Sequence, residues 1–183
     1  PVNTIDIGGG LPVSYGKNVP APKELSASLL ERLNSIIQSL GDRFTLIVES
    51  GRYLSAESMV MVSRIVNVKK FGDFKYVYVD SGYHTLLDAA LLKHEYPVEV
   101  IPGGSSTYPK TALVGRLCDP LDIFPTSSRS KLGGAEVGKL VVFKDVGAYS
   151  IVLNTPFHCQ PKPYILMRST AGNYVVVRKG QDI

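Results

Sequence analysis

The chain has 183 residues, of which 44% are apolar, enough for a packed core, and 20 Lys and Arg against 16 Asp and Glu give it a formal charge of +4. The basic residues are scattered, with Lys69 and Lys70 as a short pair, so no basic stripe interleaved with aromatics marks a nucleic-acid surface, and no apolar run is long enough for a transmembrane helix. The two cysteines, Cys118 and Cys159, make neither a CxxC metal spacing nor a disulfide framework, a usage that fits a reducing cytoplasm and excludes a zinc site.

In chain order, Thr4 to Ile7 is a short β-type run that ends on Gly8, Gly9 and Gly10. Successive residues without Cβ allow a sharp bend, close approach to a ligand and an anion-binding nest of N–H groups, although the same run also serves as a plain flexible turn. From Pro20 to Leu40, apolar residues at Leu25, Leu29, Leu30, Leu33, Ile36, Ile37 and Leu40 have helical spacing, opened by prolines and closed by Gly41. "RFTLIVESGRYL" then reads as an apolar strand ending in charge and glycine. Strand, glycine loop, helix and strand make a βαβ unit, which implies two neighbouring parallel strands with their C-terminal loops side by side.

After Ser55 the pattern changes. A hairpin is expected around Phe71-Gly72-Asp73, with further strands at Val98 to Ile101, Thr111 to Leu117, Lys139 to Lys144, Tyr164 to Arg168 and Tyr174 to Arg178. "LLDAALLKH" reads as one short helix, and "PGGSSTYPK" and "PTSSRSKLGG" as surface loops. The expected fold class is α/β plus all-β. Residues 1–55 form the C-terminal part of a larger α/β domain, because one βαβ unit cannot cover both faces of a parallel sheet, and residues 56–183 form a mostly antiparallel β domain. A start without Met suggests a piece cut from a longer polypeptide.

Three stretches could carry chemistry. In "VESGRYL", Glu49 and Arg52 flank Gly51 on a loop beside the glycine run, a set suited to a phosphorylated ligand with a cationic ring atom; a simple surface ion pair is the alternative. In "GRLCDPLDIF", Cys118 stands beside Asp119, whose anion keeps the thiol protonated and so casts it as a proton donor rather than a nucleophile; a small buried residue before an Asp-Pro turn is the alternative. In "KDVGAYS", Tyr149 ends a strand behind Gly147 and Ala148, where its hydroxyl can donate to a phosphate oxygen or its ring can pack at a domain seam. His84, His94 and His158 show no partner spacing.

In order, "DIGGGLPVSY", "ESGRYL", "VDSGYHTLL", "GRLCDPLDIF" and "KDVGAYS…PKPYILM" resemble the later half of the fold-type III, pyridoxal-phosphate-dependent decarboxylases of diaminopimelate, ornithine and lysine. The resemblance implies the last βα units of a (β/α)8 barrel followed by a β-sandwich-like or barrel-like C-terminal domain. It implies pyridoxal 5'-phosphate as cofactor, its phosphate held by Gly8, Gly9, Gly10, Gly51, Arg52 and Tyr149, and Glu49 paired with the pyridinium nitrogen. By the same resemblance Cys118 donates a proton to the decarboxylated Cα and Asp119 receives the distal amino group of the amino-acid substrate. That pair reaches across a homodimer interface into the neighbouring subunit's site.

Departures from the family pattern bear on substrate and completeness. Ser50 stands where many relatives have Pro. Asp88 aligns with an arginine that receives a distal carboxylate in the diaminopimelate enzymes, and Leu92 with a tyrosine, so the substrate is expected to carry a distal ammonium, as ornithine or lysine does. Diaminopimelate itself, an intermediate of siderophore or antibiotic assembly, and a non-catalytic regulatory role are the alternatives. The family's lysine for the cofactor aldehyde has no counterpart here; Lys69, Lys75 and Lys144 belong to β strands. The missing N-terminal half of the same enzyme is therefore an expected partner, and neither nucleic acid nor membrane is one.

Overall fold

The computed structural model describes residues 3–40, 45–104, 110–127 and 130–180. Strand β1 (Thr4–Asp6) is followed by helix α1 (Pro22–Leu40) and strand β2 (Thr45–Ile47). β1 and β2 pair in parallel, Thr4 opposite Thr45 and Asp6 opposite Ile47, as the βαβ reading requires. α1 begins two residues later than the proline pair suggests: Pro22 takes the first turn, where its missing N–H costs nothing, and the Glu24 carboxylate accepts the Ala21 amide at 3.0 Å. Gly41, read as the helix stop, and Arg43 and Phe44 of the strand stretch lie outside the described residues.

Where the sequence suggested only a loop after β2, the structure has the short helix α2 (Gly51–Ser55) and a helical turn at Ala56–Ser58. Two long strands follow, β3 (Met61–Phe71) and β4 (Phe74–Val79). They form the expected hairpin, with Gly72 at φ 56° in the first central turn position, a conformation glycine reaches at no steric cost. Val66 is an extra residue between Ile65, opposite Val79, and Asn67, opposite Tyr78, and this bulge bends β3. Beyond it come α3 (Leu87–Leu91), β5 (Val98–Ile101), β6 (Lys110–Val114), β7 (Ile123–Phe124), β8 (Leu140–Phe143), β9 (Ile165–Arg168) and β10 (Tyr174–Arg178). β6 stops at Val114, short of the expected Leu117, because Gly115 turns the chain back towards β7, a strand the sequence reading missed. Parts of the two expected surface loops lie outside the described residues.

β5, β8, β3, β4, β6 and β7 form one six-stranded sheet in that order, and β9 and β10 a separate hairpin. The sheet is mostly antiparallel, as expected, with β4 and β6 as a parallel pair. β6 returns alongside β4 in the same direction, because the chain crosses over through α3 and β5 between them. It is not a sandwich of two facing sheets. β5 and β7 are opposite edges, yet Tyr96, just before β5, bridges Thr126, just after β7, so the sheet curls until its edges approach as in a half-closed barrel. Its inner face holds the core, including Ile65, Val77, Val79, Val98, Leu113, Val141 and Phe143, with Phe124 and Phe143 edge to face at 4.9 Å. Lys75 is buried as well, its ammonium donating to the Ala135 carbonyl at 2.7 Å. Among the described residues no helix is long and apolar enough to cross a membrane.

Candidate active site

The glycine run and the Glu49–Arg52 turn meet because their strands are parallel neighbours. The Ile7 amide donates to the Ile47 carbonyl at 3.0 Å and the Glu49 amide to the Gly8 carbonyl at 2.7 Å, so the pairing continues past the strand ends into both turns. Gly9 lies so close to Glu49 that a Cβ there would overlap the Glu49 carbonyl oxygen. Gly8 and Gly10 have φ of 71° and 94°, and the space a Cβ would take at either is open. Beside them lies a recess of about 540 Å³ whose wall includes Gly9, Gly10, Tyr15, Glu49, Arg52 and Tyr149.

Tyr149 reaches this recess from the loop after β8. The Gly147 amide donates to the Ala56 carbonyl at 2.8 Å, and a Cβ on Gly147 would overlap the Ser55 carbonyl, so only glycine lets this loop close on the end of α2. Tyr149 then sits with φ 64°, strained for a non-glycine residue, its hydroxyl facing Gly51 and its ring 4.9 Å from the Arg52 guanidinium. The Tyr15 hydroxyl is buried beside the Arg52 side chain and donates to no acceptor among the described residues. Burial pushes that hydroxyl above the ordinary tyrosine range, against the pull of the Arg52 charge. A buried hydroxyl with the Arg52 guanidinium beside it and two positive-φ glycines at one recess are a donor set that fits an anionic group such as a phosphate.

Asp88, read from the sequence as facing the substrate's far end, is buried on α3 and lies 3.5 Å from Arg52. Its charge is thus directed at the guanidinium. Together with the Tyr149 ring it holds Arg52 from two sides, an arrangement that orients a planar cation more firmly than a solvent-exposed pair would. His94 stacks edge-on against Tyr15 at 4.0 Å behind this cluster, and burial lowers its pKa.

Cys118 and Asp119 lie elsewhere, on the turn between β6 and β7, and neither lines the glycine recess. Cys118 is exposed and unbridged. Asp119 accepts from the Tyr83 hydroxyl at 3.0 Å and from the Leu121 amide at 2.8 Å. Burial, and next the bond to Asp119, raise the pKa of Tyr83. The structure therefore gathers Gly8, Gly9, Gly10, Glu49, Gly51, Arg52, Tyr149 and Asp88 at one end, and Cys118 and Asp119 on a separate turn. The sequence reading passed over Tyr15, although it closes the quoted "DIGGGLPVSY" stretch, and Asp122, whose only signal was a glycine, Gly115, where β6 ends. A second, more apolar recess of about 370 Å³ under the β9–β10 hairpin has no carboxylate, thiol or glycine turn among its described lining residues.

The family described as "Pyridoxal-dependent decarboxylase, C-terminal sheet domain" matches residues 14–147. A diaminopimelate decarboxylase of Buchnera aphidicola subsp. Acyrthosiphon pisum is 30% identical over 196 residues, which cover 100% of this chain and 46% of that protein. The crystal structure of diaminopimelate decarboxylase from Helicobacter pylori complexed with L-lysine superposes with a TM-score of 0.81 at 26% identity, over 98% of this chain and 42% of that one. A lysine/ornithine decarboxylase from Vibrio vulnificus, complexed with cadaverine, gives 0.73 at 26% identity over 86% and 41%. The chain thus spans less than half the length of these relatives.

Proposed function

We propose, from the premise that this chain belongs to the pyridoxal-dependent decarboxylases and carries their C-terminal sheet domain, that it works as the C-terminal portion of an enzyme removing CO2 from an amino acid. The observation that carries this reading is the contact of Gly9 with the Glu49 carbonyl, which joins two glycine turns into one cradle below Arg52 and Tyr149. When bound there, pyridoxal phosphate supplies a sink for the electron pair left as CO2 departs.

The residues of this chain have the following roles in that reaction. The Gly9 and Gly10 amides, the Arg52 guanidinium and the Tyr149 hydroxyl bind the phosphate; Gly8 and Gly51, whose amides already donate to Asp6 Oδ1 and to the Glu49 carbonyl, shape the two turns around it, and Asp88 and the Tyr149 ring keep Arg52 aimed at it. The Glu49 carboxylate, on the same recess, holds a proton on the ring nitrogen. Cys118 delivers a proton from Sγ to the substrate Cα, and Asp119 pairs with a distal ammonium. Because Cys118 and Asp119 stand apart from the recess of their own chain, a second copy supplies them to it, and the lysine that binds the cofactor aldehyde comes from the other half of the enzyme.

For the substrate, a distal ammonium of the lysine or ornithine type is favoured because the position aligned with the arginine for a distal carboxylate, Asp88, offers no cation and turns its own carboxylate to Arg52. A diaminopimelate substrate is the second reading, favoured by the relatives that bear that name. Full-length enzyme reconstituted with pyridoxal phosphate and assayed for CO2 release from lysine, ornithine and diaminopimelate separates the two. Release from lysine or ornithine is the expected result; release from diaminopimelate alone moves the assignment to the second reading. Failure to retain the cofactor, with no CO2 from any of the three, overturns the proposal.

A further inference from the structure

The turn that carries Cys118 and Asp119 is built around a carboxylate to which the reaction as described assigns no role. Asp122 is 1% exposed. Its two oxygens accept from different segments, Oδ1 from the Tyr83 amide at 2.7 Å and Oδ2 from the Leu117 amide at 2.7 Å. Its own backbone closes the turn: the Gly115 amide donates to its carbonyl at 2.8 Å, and its amide donates to the Asp119 carbonyl at 3.0 Å. Space for the carboxylate is made by two glycines. A Cβ on Gly115 would overlap the Asp122 carboxylate, and one on Gly82 would stand 2.7 Å from Leu117 and 3.0 Å from Asp122 Oδ2.

A buried carboxylate is costly unless its lone pairs are occupied by donors, and these short bonds to main-chain N–H groups meet that need. In return they fix the Leu117 backbone, which immediately precedes Cys118, and the Tyr83 backbone, whose hydroxyl holds Asp119 at 3.0 Å. One residue thereby sets the positions of both groups: Cys118 through the peptide at Leu117, Asp119 through the tyrosine whose amide it binds. Tyr83 is braced in turn by Phe157, its ring stacked at 5.8 Å.

We infer that Asp122 is a positioning residue for the Cys118–Asp119 pair, acting through the Leu117 amide and through Tyr83. The inference rests on the proposed decarboxylase reading for its kinetic consequence, though not for its structural one. Asp122→Asn keeps the shape and replaces one acceptor oxygen by an NH2 group that faces an N–H, so one of the two main-chain bonds is lost. In the full-length holoenzyme Asp122→Asn lowers kcat at least tenfold while cofactor retention stays within twofold of wild type, since Asp122 contributes no group to the wall of the glycine recess. Tyr83→Phe keeps the amide bond and removes only the hydroxyl; it raises KM about fivefold with kcat within twofold, because Asp119 alone is released.

A second readout needs no turnover. The rate at which iodoacetamide alkylates Cys118, followed by peptide mass spectrometry with Cys159 as internal reference, changes at least threefold in Asp122→Asn. If wild type proves inactive, the decarboxylase reading fails and the alkylation ratio still decides the positioning role. Should Asp122→Asn not fold, the KM-against-kcat split in Tyr83→Phe decides it. Unchanged alkylation together with unchanged kcat in Asp122→Asn, or equal effects of Tyr83→Phe on kcat and KM, overturns the inference.

Discussion

Residues 3–55 and the curled sheet are close in apolar content but treat it in opposite ways. In the first region Leu33 is the one buried apolar side chain among the described residues, while Leu29, Leu30, Ile36, Leu46, Ile47 and Val48 are 39–50% exposed. In the sheet Ile65, Val77, Val79, Leu113, Val141 and Phe143 are sealed from solvent. A two-stranded parallel pair with one helix has a bare face and two bare edges, so its apolar stripe finds no cover. A sheet whose edges curl together encloses a core of its own. The contrast teaches that the glycine turns hang on a layer whose apolar stripe the described residues leave uncovered, whereas the Cys118 turn is anchored on a self-sufficient one.

The contrast breaks most severely if the sheet core proves dispensable. Phe143→Ala should destabilise the chain by about 3–5 kcal/mol in urea unfolding, whereas Leu30→Ala should cost under about 1 kcal/mol in the same chain. In the full-length enzyme, with the rest of the barrel in place, Leu30→Ala should rise to about 2 kcal/mol or more; an equal, small cost in both would mean that α1 faces solvent there too. Next in size, Gly9→Ala should reduce kcat/KM of the full-length enzyme about a hundredfold, or roughly 2.7 kcal/mol, since the turns can no longer touch. Pyridoxal-phosphate titration should show weaker cofactor binding as the cause.

Asp88→Asn sharpens the comparison at smaller amplitude. It should weaken cofactor binding about fivefold by slackening Arg52, without altering the preference among lysine, ornithine and diaminopimelate; a changed preference in competition assays would return Asp88 to the substrate. The smallest effect is a pH dependence of the sheet. Burial lowers the pKa of both His84 and His94 from the usual 6.5. The unfolded chain therefore binds these protons more readily, so the stability they contribute is present above about pH 6.5 and is lost as pH falls through the lowered native values. Urea midpoints measured from pH 7.5 down to 5 should fall, and less steeply in His84→Gln/His94→Gln.

Much of this molecule is legible from its order of residues, wherever a local rule suffices. The parallel pairing of Thr4–Asp6 with Thr45–Ile47 follows from βαβ periodicity, the β3–β4 hairpin from Phe71-Gly72-Asp73, and α3 from "LLDAALLKH". The approach of the Gly8–Gly10 and Glu49–Arg52 turns follows from that same pairing, because parallel neighbours end side by side.

What the order of residues leaves open was decided by contacts between distant segments. Asp88 was assigned from its alignment as a substrate residue, yet its direction towards Arg52, 36 positions earlier, depends on how α3 packs over the turn after β2. Asp122 carried no signal beyond Gly115 because its partners are main-chain amides at Tyr83 and Leu117, and amides are invisible in a sequence. The parallel entry of β6 beside β4 and the curl that brings Tyr96 to Thr126 likewise satisfy the whole core at once. Periodicity and turn chemistry act over a few residues, and so can be read in a line of letters; burial of a charge or closure of a sheet is set by which surfaces remain to be covered, a quantity that exists only once the chain is folded.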